Sequence, residues 1–178
     1  MSNDMAPKDI DWAALARSLG TIRDNGESAG SDVACKALEL IIGPPAIRTA
    51  VDYYISQNTG AELARHVLWR LRPWSAMQRC YEIYESSDDI DERRSAVELL
   101  RVVADARVLP WVERFFDDPD DGIQIWGAGV VDQLLWSNLV DPEDCKQLLD
   151  RMATHPNSNV RDTHEFISNY LKSREESA

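Results

Sequence analysis

Apolar runs of helical period, each about a dozen residues long, succeed one another along this chain, with short polar punctuation between them. Asp11 precedes a short run closed by Leu19-Gly20, with Gly20 placed as a C-terminal stop. Ser31 or Asp32 caps a run over 33–42, and Pro44-Pro45 opens the next, where proline in a first turn costs nothing. Thr59 with Glu62 reads as a capping box for a helix reaching Leu71. Pro73 starts a run to Tyr84, Asp88-Asp89 one to Ala104, and Leu109-Pro110 one to Phe116. Asp120-Asp121 opens 123–136, Asp141-Pro142-Glu143 opens a run to Met152, and Pro156-Asn157-Ser158 leads into 160–171. No alternating apolar–polar run is bounded by hairpin turns. The pattern predicts an all-α chain of about ten helices. Residues 1–10 are expected to be a flexible N-terminus, 11–172 a single helical domain, and 173–178 a polar tail; 25–30 has the composition of a flexible loop.

The helix starts resemble one another. Asp118-Pro119-Asp120-Asp121-Gly122-Ile123-Gln124 matches His155-Pro156-Asn157-Ser158-Asn159-Val160-Arg161 at an offset of 37 residues, and Arg93 aligns with Gln124 at an offset of 31. The shared content is a turn, a short polar cap, then an apolar and a polar residue entering the helix. These motifs resemble the HEAT-repeat family, whose repeats carry a similar Asp-Pro-Asp turn followed by Val-Arg. The resemblance covers 88–171; the upstream segments around Val33 and Leu63 lack the turn motif. It implies a right-handed α-solenoid of about four to five antiparallel helical hairpins. One helix of each pair would then line a concave, partner-binding surface.

Charge limits what such a surface can hold. Nineteen Lys and Arg against 31 Asp and Glu leave a net charge of -12. An acidic surface repels phosphate backbones and anionic lipid headgroups, so neither nucleic acid nor membrane is an expected partner; a basic protein is. The N-terminus lacks the apolar core of a signal peptide, and no stretch approaches the roughly 20 apolar residues of a membrane span. Together with three widely spaced cysteines, Cys35, Cys80 and Cys145, read as buried structural thiols, this suits the cytoplasm.

Catalytic chemistry is not signalled. His66, His155 and His164 have no metal-ligand spacing, and no cysteine pair has that of a zinc ribbon. Gly127-Ala128-Gly129 follows no strand and reads as close helix packing, with a neighbouring helix crossing near both glycines. No metal, cofactor or catalytic residue is expected.

Two blocks of charge stand out. Residues 44–80 carry a local excess of three positives, whereas 81–121 hold thirteen acids against five arginines. Acids at helix N-termini, such as Asp88 and Asp120, are explained by the helix dipole. Glu82, Glu85, Glu113, Asp117 and Asp118 sit late in their helices, where that explanation fails. Trp74 and Trp111 stand beside prolines at helix starts, each either a hot spot for a basic partner or packing between repeats. Trp69, Trp126 and Trp136 lie near apolar stripes and read as core. The candidate partner-binding set is Trp74, Glu82, Glu85, Trp111, Glu113, Asp117, Asp118 and Asp121. The expected function is a protein-binding helical-repeat module, most concretely a bacterial immunity protein whose acidic concave face occludes a basic, nuclease-type toxin. The alternatives are a scaffold or adaptor that self-associates through apolar end helices such as 33–42, or a HEAT-like enzyme, which needs an aromatic pocket holding a carboxylate of raised pKa.

Overall fold

Side-chain caps fix four of the α-helix starts among the described residues. In the computed structural model, which describes residues 10–23, 26–27 and 30–176, the Asp11 carboxylate accepts from the Ala14 amide and opens α1 (Trp12–Ser18). A ladder of two-residue strands follows, β1 (Ile22–Arg23) and β2 (Gly26–Glu27). Next come α2 (Ser31–Ile42), α3 (Pro44–Ile55), α4 (Ala61–Leu71) and α5 (Trp74–Ser86). After these lie α6 (Ile90–Val103), α7 (Leu109–Phe116), α8 (Asp121–Trp136), α9 (Lys146–Ala153) and α10 (Ser158–Glu175). Single turns of 3-10 helix lead into α7 and α9. The all-α expectation holds, and α10 runs past the Leu171 end read from periodicity. The flexible ends expected at 1–9 and 177–178 lie outside the described residues.

Three expectations need correction. Neither Ser31 nor Asp32 caps α2: both lie inside it, and its N-cap is Gly30, with no side-chain cap. The capping box at Thr59 does not form: Gly60 is the N-cap, in a left-handed conformation with φ of 98°, and no side chain caps α4. The Thr59 carbonyl instead accepts from the Tyr53 hydroxyl. The segment read as a flexible loop contributes Gly26 and Glu27 to the β-ladder.

The repeated turn motif becomes a repeated hydrogen-bond arrangement. Asp89, Asp120 and Asn157 are the N-caps of α6, α8 and α10, each accepting from an amide of its own first turn. Four residues on, Arg93, Gln124 and Arg161 turn back to donate to carbonyls of Tyr84, Asp118 and His155. The copies are also tied to each other. Arg93 donates to Asp118, Arg94 to Asp120, and Asn157 to Gln124. A ring nitrogen of His155, buried in its turn, donates to the Phe116 carbonyl at 3.0 Å.

Packing follows the same order. Sequential helices pair (α3 with α4, α5 with α6, α7 with α8, α9 with α10), and α4, α6, α8 and α10 also pack each on the next. One apolar core runs through Val51, Leu68, Met77, Leu100, Phe115, Leu134, Met152 and Ile167. Each such side chain contributes about 1.5–3 kcal/mol by leaving water. Gly127 sits where α8 meets α7: a Cβ there would lie 2.7 Å from the Phe115 Cβ. At Gly129 the neighbour is the Arg101 side chain of α6, which packs on α8: a Cβ there would lie 2.7 Å from its Cδ. Neither α1 nor α2 contains a buried residue.

Candidate functional site

The residues singled out by sequence come together mainly along α5 and α7. Trp74 and Trp111 stack at 5.3 Å between ring centroids, and Trp111 stacks on Tyr81 at 4.3 Å. Arg107 lies over the Trp74 ring and Arg114 over Tyr81. Both tryptophans are half-buried against the core, so this column joins α5 to α7 as packing between helices.

Most of the acids beside it serve the same purpose. Glu82 pairs with Arg48 of α3 and Arg79, and Asp52 of α3 meets Arg79 at 2.7 Å. Glu85 reaches Arg114 of α7, and Asp117 reaches Arg151 of α9. Apart from Arg79–Glu82 within α5, each link crosses from one odd-numbered helix or its end to the next. The Arg48 guanidinium holds the Glu82 carboxyl below the usual carboxylate range. Asp118 is not available to a partner at all: it is only 5% exposed and is held by Arg93. Asp121 is exposed in the first turn of α8. Among the described residues, exposed Glu113 carries no ion pair. Four of the six acids in the candidate set, Glu82, Glu85, Asp117 and Asp118, are thus spent on joining helices, a role that sequence could not show because the partners are about thirty residues away.

Sequence reasoning missed a second surface. On α8, Ile125, Trp126, Gly129, Asp132, Gln133 and Trp136 recur at helical spacing, and none of them is fully buried. Trp136 is 54% exposed and Trp69 of α4 is 41% exposed, which corrects their reading as core. The signal available in the sequence was an apolar stripe on α8 too wide for one buried face.

Toward α10, Ile125, Asp132, Asn159, Asp162, Thr163 and Phe166 line an open groove of about 470 Å³. Phe166 is 54% exposed, and Trp136 packs on Tyr170 with 4.6 Å between centroids. Neither Asp132 nor Asp162 has an ion pair or side-chain hydrogen bond among the described residues. Burial pushes the Asp132 carboxyl above its ordinary value, and Arg101 only partly opposes this.

Toward α4, a smaller cleft of about 260 Å³ is lined by Arg65, His66, Trp69, Arg101, Val102 and Gln133. A third hollow, of about 410 Å³, lies between α1 and α2 and is walled by apolar side chains including Trp12, Leu15, Leu38 and Ile41.

The thiols offer little reactivity. Cys80 and Cys145 are buried, and burial raises both, Cys145 to about 11. Cys35 is half-buried, with its Sγ 3.7 Å from the Arg70 carbonyl. Among the described residues no cluster of His, Cys, Asp and Glu is placed to hold a metal, and no helix is long and apolar enough to cross a membrane. No family model, curated protein or solved structure matches the chain.

Proposed function

We propose that this chain is a protein-binding module of HEAT-like helical hairpins, and that its recognition surface is the one shared by α8 and α10. In its most concrete form it is an immunity protein that covers the cationic active site of a basic toxin, with carboxylates standing where the toxin's phosphate substrate would bind. The observation carrying this reading is the pair of unpaired carboxylates, Asp132 and Asp162, beside the exposed Phe166 in a groove. Aromatic surface beside carboxylates suits an inserted Lys or Arg stem and head. The net charge of -12 steers such a partner in. The raised Asp132 carboxyl beside Phe166 meets part of what a HEAT-like enzyme calls for, but the groove is open and not the deep pocket that reading needs.

The test is capture of a basic partner from native lysate at low and high salt. The expected result is a partner that elutes with salt, is lost on Asp162→Lys and is kept on Glu113→Lys. Loss on Glu113→Lys alone moves recognition to α7, and no salt-eluted partner under any condition overturns the reading.

A scaffold that self-associates through its end has one observation in its favour. Leu38, Leu40, Ile41 and Ile42 of α2 are all exposed, next to the apolar hollow against α1. Concentration-dependent oligomers in sedimentation velocity, abolished by Leu38→Glu with Ile41→Glu, would select this second reading.

A further inference from the structure

The cleft between α4, α6 and α8 holds far more hydrogen-bond donors than acceptors. Two guanidiniums, Arg65 and Arg101, flank one carboxylate, Glu98. Glu98 accepts from the Tyr54 hydroxyl on one oxygen and from Arg65 Nη2, at 3.1 Å, on the other. Arg101 Nη2 stands 3.6 Å from that second oxygen, beyond hydrogen-bond reach. The Nε atoms of both arginines are buried without a partner.

An arginine offers five donors, and leaving them unmet when half-buried is costly. Other charges nearby do not meet them. Glu62 is exposed and 3.8 Å from Arg65, and Asp132 feels Arg101 but opens on the α10 side of α8. Arg101 is held in place by its stack on the Trp126 ring, 5.1 Å to the centroid, where it crosses Gly129. His66 donates Nδ1–H to the Glu62 carbonyl at 2.7 Å and packs edge-on to Trp69, so the cleft's outer wall is also fixed.

At about 260 Å³ the cleft is smaller than the 300–1,000 Å³ usual for drug-sized ligands, and suits one small group. We propose that it is an oxyanion-binding site taking a single carboxylate in the fork of Arg65 and Arg101, with Trp69 and Val102 as its apolar wall. The carboxylate is either that of a free small acid or an acidic side chain or C-terminus of the bound partner. Arginine forks match planar carboxylates in two parallel bonds, which favours this over a tetrahedral anion.

The test is a titration of the full ¹⁵N-labelled chain with sodium acetate, and separately with sodium phosphate, at constant ionic strength. The arginine Nε–H and tryptophan indole signals are followed by NMR. Saturable shifts confined to Arg65, Arg101 and Trp69 are expected with acetate. The midpoint should weaken about tenfold in Arg101→Gln, as fits loss of one charge-assisted contact. It should tighten in Glu98→Gln, which removes the competing carboxylate. Shifts that never saturate, that spread over all arginines, or that keep the wild-type midpoint in a folded Arg101→Gln overturn the site, and saturation by phosphate alone overturns the carboxylate assignment. Asp162→Asn is expected to weaken partner capture and leave acetate binding unchanged, so the two proposals fail separately. Acetate binding that competes with the captured partner assigns the carboxylate to that partner; binding without competition assigns it to a free acid.

Discussion

At single residues, Gly127 and Gly129 of α8 make opposite demands. An alanine at either position gains about 1 kcal/mol of helix propensity over glycine. At Gly127 the new methyl meets the Cβ of Phe115, which is fully buried and cannot retreat. Overpacking costs about 1–3 kcal/mol, so net of the propensity gain Gly127→Ala is expected to lower stability by up to about 2 kcal/mol in urea unfolding. At Gly129 the obstacle is a flexible arginine, so Gly129→Ala should leave stability near wild type while displacing Arg101 and weakening acetate binding. Both glycines were legible in the sequence as close approaches of neighbouring helices; that one meets a rigid Cβ of α7 and the other the flexible arm of Arg101 of α6 was not. Asp132 shows the same division. Its folded carboxyl lies above the ordinary 3.8, so its contribution favours the native state below that value and turns unfavourable as pH rises through the folded value. Asp132→Asn is therefore expected to raise the thermal midpoint at pH 7, with no gain at pH 3, while partner capture weakens. No rise at pH 7 would show that the groove already solvates this carboxylate.

Individual elements were legible where their causes are local. The caps at Asp89, Asp120 and Asn157 depend on a few neighbouring atoms, and the sequence locates all three helix starts. The failure at Thr59 has an equally local cause, since Gly60 takes the left-handed cap and places Thr59 outside the helix. The links between elements were not legible: Arg94 finds Asp120, and Arg114 finds Glu85, only once the helices pack. Asp120 combines both kinds of contact, accepting from the Ile123 amide and from Arg94 at 2.6 Å. Removing both in Asp120→Ala is expected to cost about 1–3 kcal/mol. The Arg94 hydrogen bond holds the Asp120 carboxyl below 3.8. Its stabilisation is therefore complete above that pH and is lost as pH falls through the lower, folded value. The penalty of Asp120→Ala should accordingly shrink in unfolding curves taken below pH 3.8, and a penalty that is the same at pH 7 and pH 2 would rule the ionised cap out as its source.

For the molecule as a whole, charge acts in two ways that salt can separate. Within the fold, exposed pairs such as Arg48–Glu82, Glu85–Arg114 and Asp117–Arg151 join consecutive odd-numbered helices, and each is worth about 0–1 kcal/mol. Against them stands the mutual repulsion of a chain with a net charge of -12, which acts over longer distances. The Debye length is about 30 Å at 0.01 M salt and about 8 Å at 0.15 M, so added salt screens the distant repulsion before it weakens pairs in contact. The total charge was plain in the sequence, but its division into paired and unpaired carboxylates was not, because it depends on which helices touch. Raising NaCl from 10 to 150 mM, on the order of one such change in screening length, is therefore expected to raise the thermal midpoint of the free protein. The same change should weaken capture of a basic partner, whose attraction is the long-range field itself. Opposite signs in the two measurements would place recognition on unpaired carboxylates such as Asp162 and stability on the paired ones. A midpoint that falls with salt would mean instead that the pairs between helices outweigh the net repulsion, and that the acidic block exists chiefly to hold the array together.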